Sequence, residues 1–320
     1  MSNEINTPQK LAAASLQKLI DETAKGYLGK PGVVSLIVRA LAAGLHTLIE
    51  DVSGVGKTTL LRCLAKASSL DYGRIQFTPD LLPGDITGMT IWNPVKHEFI
   101  FREGPLRHQF ILADELNRAP ARTQSALLEA MQEEAVTVDG VRYPMPSPFF
   151  VAAAQNPFWY AGTYKLPESQ LDRFGISITP GYPDKRTEIQ ILDNYKSSEA
   201  VDRVSPVITA QRILEIRDLI ETVDIEQKVL GYAVAIGQET RESEHFQAGL
   251  STRGLQHLIR LAQSSALVEK RSFLIPEDIL SSVEPVMQHR LILTPEARSE
   301  GKPMSYFIKQ VVSRVQIPYE

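Results

Sequence analysis

The sequence predicts a three-layer α/β core built on a parallel sheet, followed by an all-helical second domain. Three observations carry this. Short apolar runs alternate with helix-period segments up to about residue 180, the pattern of βαβ units. After Pro183 the apolar runs stop and only helix-period segments remain. The length of 320 residues suits two domains of about 150 residues each.

The elements follow in order. Residues 9–24 place Leu11, Leu16, Leu19, Ile20 and Ala24 near one helical face. Gly29-Lys30-Pro31 breaks that helix, and a second runs through Val33–Leu41. His46–Glu50 is a short apolar run, followed by a glycine-rich turn and a helix over Thr58–Ala67. Arg74–Phe77 and Phe110–Asp114 read as buried parallel strands. Residues 80–107 read as irregular, punctuated by Pro83, Gly84, Gly88, Pro94 and Gly104, with a short alternating piece at Glu98–Phe101. Pro120 starts a helix with an apolar stripe of Leu127, Leu128, Met131 and Ala135. Val136–Tyr143 reads as a hairpin turning on Asp139-Gly140. Phe149–Ala154 and Ile176–Thr179 are the last strands. Helices are expected at 184–196, 208–222, 225–240, 252–269 and 276–284, with Ser197–Val207 as a linker. The expected domains are therefore 1–196 and 197–320.

Composition excludes several classes. Hydrophobic residues at 43% against 22% charged rule out wholesale disorder. With 34 basic and 38 acidic side chains, the net charge of −4 lacks the electrostatic footprint of a DNA- or RNA-coating protein. A single cysteine, Cys63, permits neither an intrachain disulfide nor a cysteine zinc site. The six histidines show no metal-ligand spacing. Acids and lysines interrupt the N-terminal stretch where a signal peptide needs an apolar core. The longest apolar runs also fall well short of the ~18–20 residues of a membrane span. A cytoplasmic protein without membrane insertion is expected.

The chemistry concentrates in Asp51-Val-Ser-Gly-Val-Gly-Lys-Thr58, between an apolar strand and a helix. Glycines let backbone N–H groups close round phosphates, the helix points its positive end at them, and Lys57 reaches the outer oxygens. The nucleotide-binding set is Ser53, Gly54, Val55, Gly56, Lys57, Thr58 and Thr59, with the Thr58 hydroxyl as a Mg²⁺ ligand. Asp51 stands where the consensus has glycine, so it needs a different turn geometry and a carboxylate pointed away from polyphosphate. The second signal is Phe110-Ile-Leu-Ala-Asp114-Glu115, a buried strand ending in two acids. Asp114 then serves Mg²⁺, directly or through water, and Glu115 polarises the attacking water as general base.

Three more polar residues stand near element ends. Asn156 follows the Phe149–Ala154 strand and can orient the hydrolytic water. Arg173 follows a short helix and can serve a local ion pair with Asp172 or Glu168, or a phosphate on another subunit. Arg253 opens a helix capped by Ser251 or Thr252. Arg118, three residues after the acid pair, suits either a local ion pair or a reach across a subunit interface.

In this order these pieces resemble an AAA+ ATPase and, more narrowly, the MoxR family. The resemblance rests on Arg74-Ile-Gln-Phe-Thr-Pro-Asp-Leu-Leu-Pro-Gly-Asp-Ile-Thr-Gly88, Gly104-Pro-Leu, Ala113-Asp-Glu-Leu-Asn-Arg-Ala-Pro120 and Thr123-Gln-Ser-Ala-Leu-Leu-Glu-Ala-Met-Gln-Glu133. Ala154-Gln-Asn-Pro157 and Leu166-Pro-Glu-Ser-Gln-Leu-Asp-Arg-Phe174 extend it, with a weaker likeness at Pro276-Glu-Asp278 and His289-Arg290. It implies sensor 1 for Asn156, an arginine finger for Arg173 and sensor 2 for Arg253. Aspartate at position 51 is frequent in that family, whereas Ser53 replaces its usual proline and implies a looser loop.

Residues 80–107 correspond to the helix-2 insertion and Val136–Tyr143 to the hairpin before sensor 1. Trp92, Phe99 and Phe101 in the insertion either touch a remodelled partner or pack on the core. The implied function is Mg-dependent ATP hydrolysis by a homo-oligomer, a hexamer, that remodels or matures a protein client. The resemblance suggests a client with a von Willebrand factor A domain. Competing readings are a nucleic-acid-associated motor or transcriptional activator, against which the acidic balance counts, and a nucleotide-gated assembly platform with little turnover.

Overall fold

A computed structural model of the chain describes residues 7–52, 54–156, 163–194 and 200–319. Two helices, α1 (Thr7–Gly26) and α2 (Pro31–Ala43), precede strand β1 (Thr47–Glu50) and helix α3 (Lys57–Ala67). Then come β2 (Tyr72–Gln76), the short α4 (Pro83–Thr87), β3 (Gly88–Asn93), β4 (Glu98–Glu103) and β5 (Phe110–Asp114). Helix α5 (Ala121–Glu133), the hairpin β6 (Ala135–Val138) and β7 (Val141–Pro144), β8 (Phe150–Gln155), α6 (Glu168–Leu171) and β9 (Ile176–Ile178) complete the core.

Five strands form one sheet in the order β2-β5-β8-β1-β9, and every pairing is parallel. Side chains alternate strictly between its faces. Ile49, Phe110, Leu112, Phe150, Ala152 and Ala154 enter one apolar cluster, while Leu48, Ile111, Ala113, Val151 and Ala153 enter the other. Burial on both faces is why these strands read as unbroken apolar runs. Chain order reverses at β1, so the crevice beyond the carboxyl ends of β1 and β8 is where such a sheet binds ligands.

His46, just before β1, ties the layers together. Its Nδ1 accepts from the Val151 amide at 3.0 Å, and its Nε2 donates to the Met131 carbonyl at 3.2 Å. A single neutral tautomer satisfies both bonds. Burial pushes this imidazole down to about 4, and pushes the buried His289 well below the ordinary histidine value. Unfolded histidines protonate near pH 6.5. The stability gained by keeping both rings neutral is therefore full above about pH 6.5 and falls as pH drops below it, at up to ~1.4 kcal/mol per pH step for each ring, with the His46 share lost as pH reaches about 4. Urea midpoints measured at about pH 7.5 and about pH 5 are expected to drop accordingly, and equal midpoints would count against this burial.

Beyond β9 come α7 (Lys185–Asn194), α8 (Ala210–Glu221), α9 (Gln227–Glu242), β10 (Phe246–Ala248), α10 (Thr252–Val268), α11 (Pro276–Met287), β11 (Ile292–Leu293), α12 (Pro295–Ser299) and α13 (Met304–Ser313). This lid is helical apart from the small β10–β11 pair, and α12 and α13 extend it past the last helix expected from sequence. It joins the core tightly. Arg260 Nε donates to the Ala43 carbonyl at 2.7 Å, Arg39 donates to Ser265 Oγ at 2.7 Å, and one apolar cluster runs from α1 and α2 into α8–α13. The expected boundary at 196/197 and the first part of the expected linker lie outside the described residues.

Two local expectations change. Residues 80–107 are not irregular: α4 leads into an antiparallel β3–β4 hairpin with Trp92 opposite Phe99. Both faces of that ribbon meet solvent, so no clean apolar alternation marks it. Ala135 is not part of the α5 stripe, because Glu134 turns left-handed at φ 46° and Ala135 opens β6. The hairpin on Asp139-Gly140 forms as expected, with both residues at positive φ. Among the described residues, no helix is long and apolar enough to cross a membrane.

Candidate active site

The loop after β1 carries Gly54 and Gly56 at φ 89° and 84°, a region that favours glycine. A Cβ on Gly54 would meet nothing within 4 Å, whereas one on Gly56 would lie 3.3 Å from the Tyr27 ring, which buttresses the loop from behind. Val55 is buried, and Lys57, Thr58 and Thr59 are half-buried in the first turn of α3, whose N-terminus has no side-chain cap. Uncapped amides at a helix start favour anions. Ser53 lies outside the described residues.

Asp51 resolves its own electrostatic difficulty. Its carboxylate is buried and held by two main-chain donors, accepting from the Val52 amide at 2.7 Å and from the Gly181 amide just beyond β9. Its main-chain oxygen accepts from Lys57 Nζ at 2.6 Å. Burial lowers the Lys57 pKa, opposed by the charges of Asp51, Asp114 and Glu115. Asp51→Ala strands two amide donors and is expected to cost about 1–3 kcal/mol of stability and to weaken ATP binding. Denaturant midpoints and fluorescent-nucleotide titration check this, and wild-type values in both would refute the anchoring role.

The acid pair sits at the end of β5 beside β2, with Gln76 in register with Asp114. Asp114 pairs with Arg74 at 2.7 Å. Glu115 has φ 55°, and its Oε2 accepts from Gln76 Nε2 and from Arg118, each at 2.8 Å. The local ion pair is thus the arrangement Arg118 adopts within the chain. Asn156 follows β8 on the same edge, and its main-chain oxygen accepts from Asn117 Nδ2 at 3.1 Å. Gln76 and Arg74 were missed by the sequence reading. Their signal was a pair of polar residues two apart in a strand, but only the register against Asp114 gives it meaning.

Arg173 and Arg253 stand elsewhere. Arg173 precedes β9, where the Gly175 amide donates to the His46 carbonyl at 2.7 Å, so it lies at the amino-terminal edge of the sheet. With Arg253, His46, Glu134, His257 and Arg260 it lines a cavity of about 360 Å³. The length of β1, four residues or about 13 Å, separates this edge from the phosphate loop. Lid docking sets Arg253 beside Arg173, 3.9 Å from Asp172. Neither Asp172 nor Glu168 forms an ion pair with Arg173 among the described residues, since Asp172 is held by Arg290 at 2.8 Å. Ser251 is the cap of α10, accepting from the Gly254 amide at 3.0 Å.

The insertion aromatics divide. Phe101 stacks on Tyr143 of the β6–β7 hairpin at 3.9 Å between ring centroids. Trp92 and Phe99 pack edge-to-face at 5.2 Å yet remain 50% and 72% exposed.

The donor set at the carboxyl edge fits a nucleoside triphosphate. Lys57 and the loop amides would take the phosphates, while Thr58 and Asp114 would offer hard oxygen ligands to Mg²⁺. A parallel sheet with this loop, a strand-end acid pair and a helical lid defines a P-loop ATPase of the AAA+ class. Residues 46–176 match the model of the ATPase family associated with various cellular activities, and 238–310 match the AAA lid domain. The chain is 41% identical over 305 residues to the uncharacterized protein YeaC of Bacillus subtilis, covering 95% of each. It is 35% identical over 313 residues to Chaperone MoxR1 of Mycobacterium tuberculosis, covering 95% of this chain and 82% of that one. A crystal structure of a candidate ATPase from Cytophaga hutchinsonii matches with a TM-score of 0.90 at 37% identity, covering 97% of both chains. The chain belongs to the MoxR family of AAA+ ATPases.

Proposed function

We propose that this protein hydrolyses ATP with Mg²⁺ as a homo-oligomeric ring, a hexamer, and uses the cycle to remodel a protein client in a chaperone-like role. The observation that carries the assembly is the separation of its machinery. Glu115 and Asn156 share an edge with the phosphate loop, while Arg173 and Arg253 open on the opposite one. Two arginines on the edge opposite their own phosphate loop suit a neighbour's, and a head-to-tail contact of that kind gives a ring where its rotation closes.

Glu115 takes the proton of the attacking water, with Gln76 and Arg118 holding its carboxylate towards β2. Asn156 orients that water from β8. Lys57 offsets phosphate charge, and Thr58 and Asp114 would hold Mg²⁺, which would supply further positive charge to the phosphates. Arg173 stabilises the transferring phosphoryl group from the next subunit, and Arg253 beside it serves the same phosphates. The exposed Trp92–Phe99 pair supplies an apolar contact for a protein client. Native mass measurement of the Glu115→Gln protein in Mg-ATP tests the assembly, and a monomer under those conditions would overturn it.

A further inference from the structure

Asp172, the residue before Arg173, is the meeting point of core and lid. Its carboxylate accepts from Arg290 Nε at 2.8 Å and from the α10 cap Ser251 at 3.1 Å, with Arg253 at 3.9 Å. Arg290 is only 8% exposed. Its other nitrogens donate to the main-chain oxygens of Asp172 and Gly175, each at 3.1 Å, to those of Phe174 and Val286, and to His257 Nδ1 at 2.6 Å. The neighbours of Arg290 extend the grip. His289 Nε2 donates to the Phe174 carbonyl at 3.1 Å, and Gln288 Nε2 donates to that of Ser177 at 2.6 Å. Residues 288–290 of the lid therefore hold the backbone from 172 to 177 at five carbonyl and carboxylate groups.

A buried guanidinium is costly unless its donors are matched, and apolar packing would hold two domains together without that cost. What the ionic arrangement adds is direction. Helix α6 spans only four residues, so the segment bearing Arg173 has little scaffold of its own. Its position is fixed from the lid side instead. We propose that Asp172, clamped by Arg290 and Ser251, is the positioning residue that aims Arg173 at the neighbouring subunit's nucleotide. This rests on the reading of Arg173 as acting between subunits.

The test uses the full chain. Asp172→Ala is expected to lower kcat about 10–100-fold, with KM and fluorescent-ATP affinity within about twofold of wild type, because its own phosphate loop is on the other edge. Asp172→Asn keeps the side-chain volume and an acceptor for Ser251, and is expected to fall between the two; it also serves as the reporter should the alanine chain not fold. The decisive arm mixes Asp172→Ala with Lys57→Ala subunits. The latter cannot turn over ATP but bring an intact Arg173 segment, so the mixture is expected to exceed the summed activities of both parents. Wild-type kcat in folded Asp172→Ala and Asp172→Asn would overturn the proposal. So would failure of that mixture to recover when a mixture of Arg173→Ala with Lys57→Ala does. Full activity in Arg173→Ala alone would instead remove the intersubunit reading beneath it.

Discussion

Glu115→Gln is expected to bind Mg-ATP with near wild-type affinity and to lose about 10²–10⁴-fold in turnover, the usual contribution of a positioned general base. The amide keeps the volume and one oxygen that can accept from Gln76 or Arg118. What disappears is the capacity to take a proton from water. Affinity survives because Lys57, at the start of α3, and the glycines of the loop between β1 and α3 are untouched. Single-turnover phosphate release alongside nucleotide titration separates the two properties. Turnover within tenfold of wild type would remove Glu115 from the base role. A loss of binding as large as the loss of turnover would instead assign it to holding the loop.

Arg173→Ala is expected to reduce kcat by about 10³-fold or more, the scale on which a trans arginine acts. Stability should change by no more than ~0.5 kcal/mol, since the half-exposed side chain enters no ion pair among the described residues and lines an open cavity. The effect should also depend on assembly. At concentrations where the wild type dissociates, wild-type turnover is expected to fall towards that of the variant. A variant as active as wild type in the assembled state would place the arginine outside the reaction. Arg253→Ala is the natural companion, and its position 3.9 Å from Asp172 means its effect need not add to that of Arg173→Ala.

The core was legible because its strands are buried on both faces and end where chemistry begins. Asp114, Glu115 and Asn156 could be placed at one edge from chain order alone, since each follows a strand of a parallel sheet. Chain order does not tell which edge a lid residue such as Arg253 reaches. Its location depends on residues 288–290 docking on β9 and the residues just before it, contacts separated by more than a hundred positions along the chain. The β3–β4 ribbon was hidden for a different reason: solvent on both faces leaves no apolar rhythm to read. Gln76 escaped because a polar side chain in a strand gains its role only through register with Asp114. Asp51 looked like a liability in the loop, and it became intelligible once the Gly181 amide was seen facing it.

That bond has a further consequence. Strand β9 is three residues long, about 10 Å, and beyond its far end lies Arg173. One end of this short strut is moored to the subunit's own phosphate loop through Asp51 and Gly181, and the other faces the adjoining protomer in the proposed ring. In the proposed ring, the phosphate loop of each subunit would then be joined to the residue that faces its neighbour by little more than one short strand.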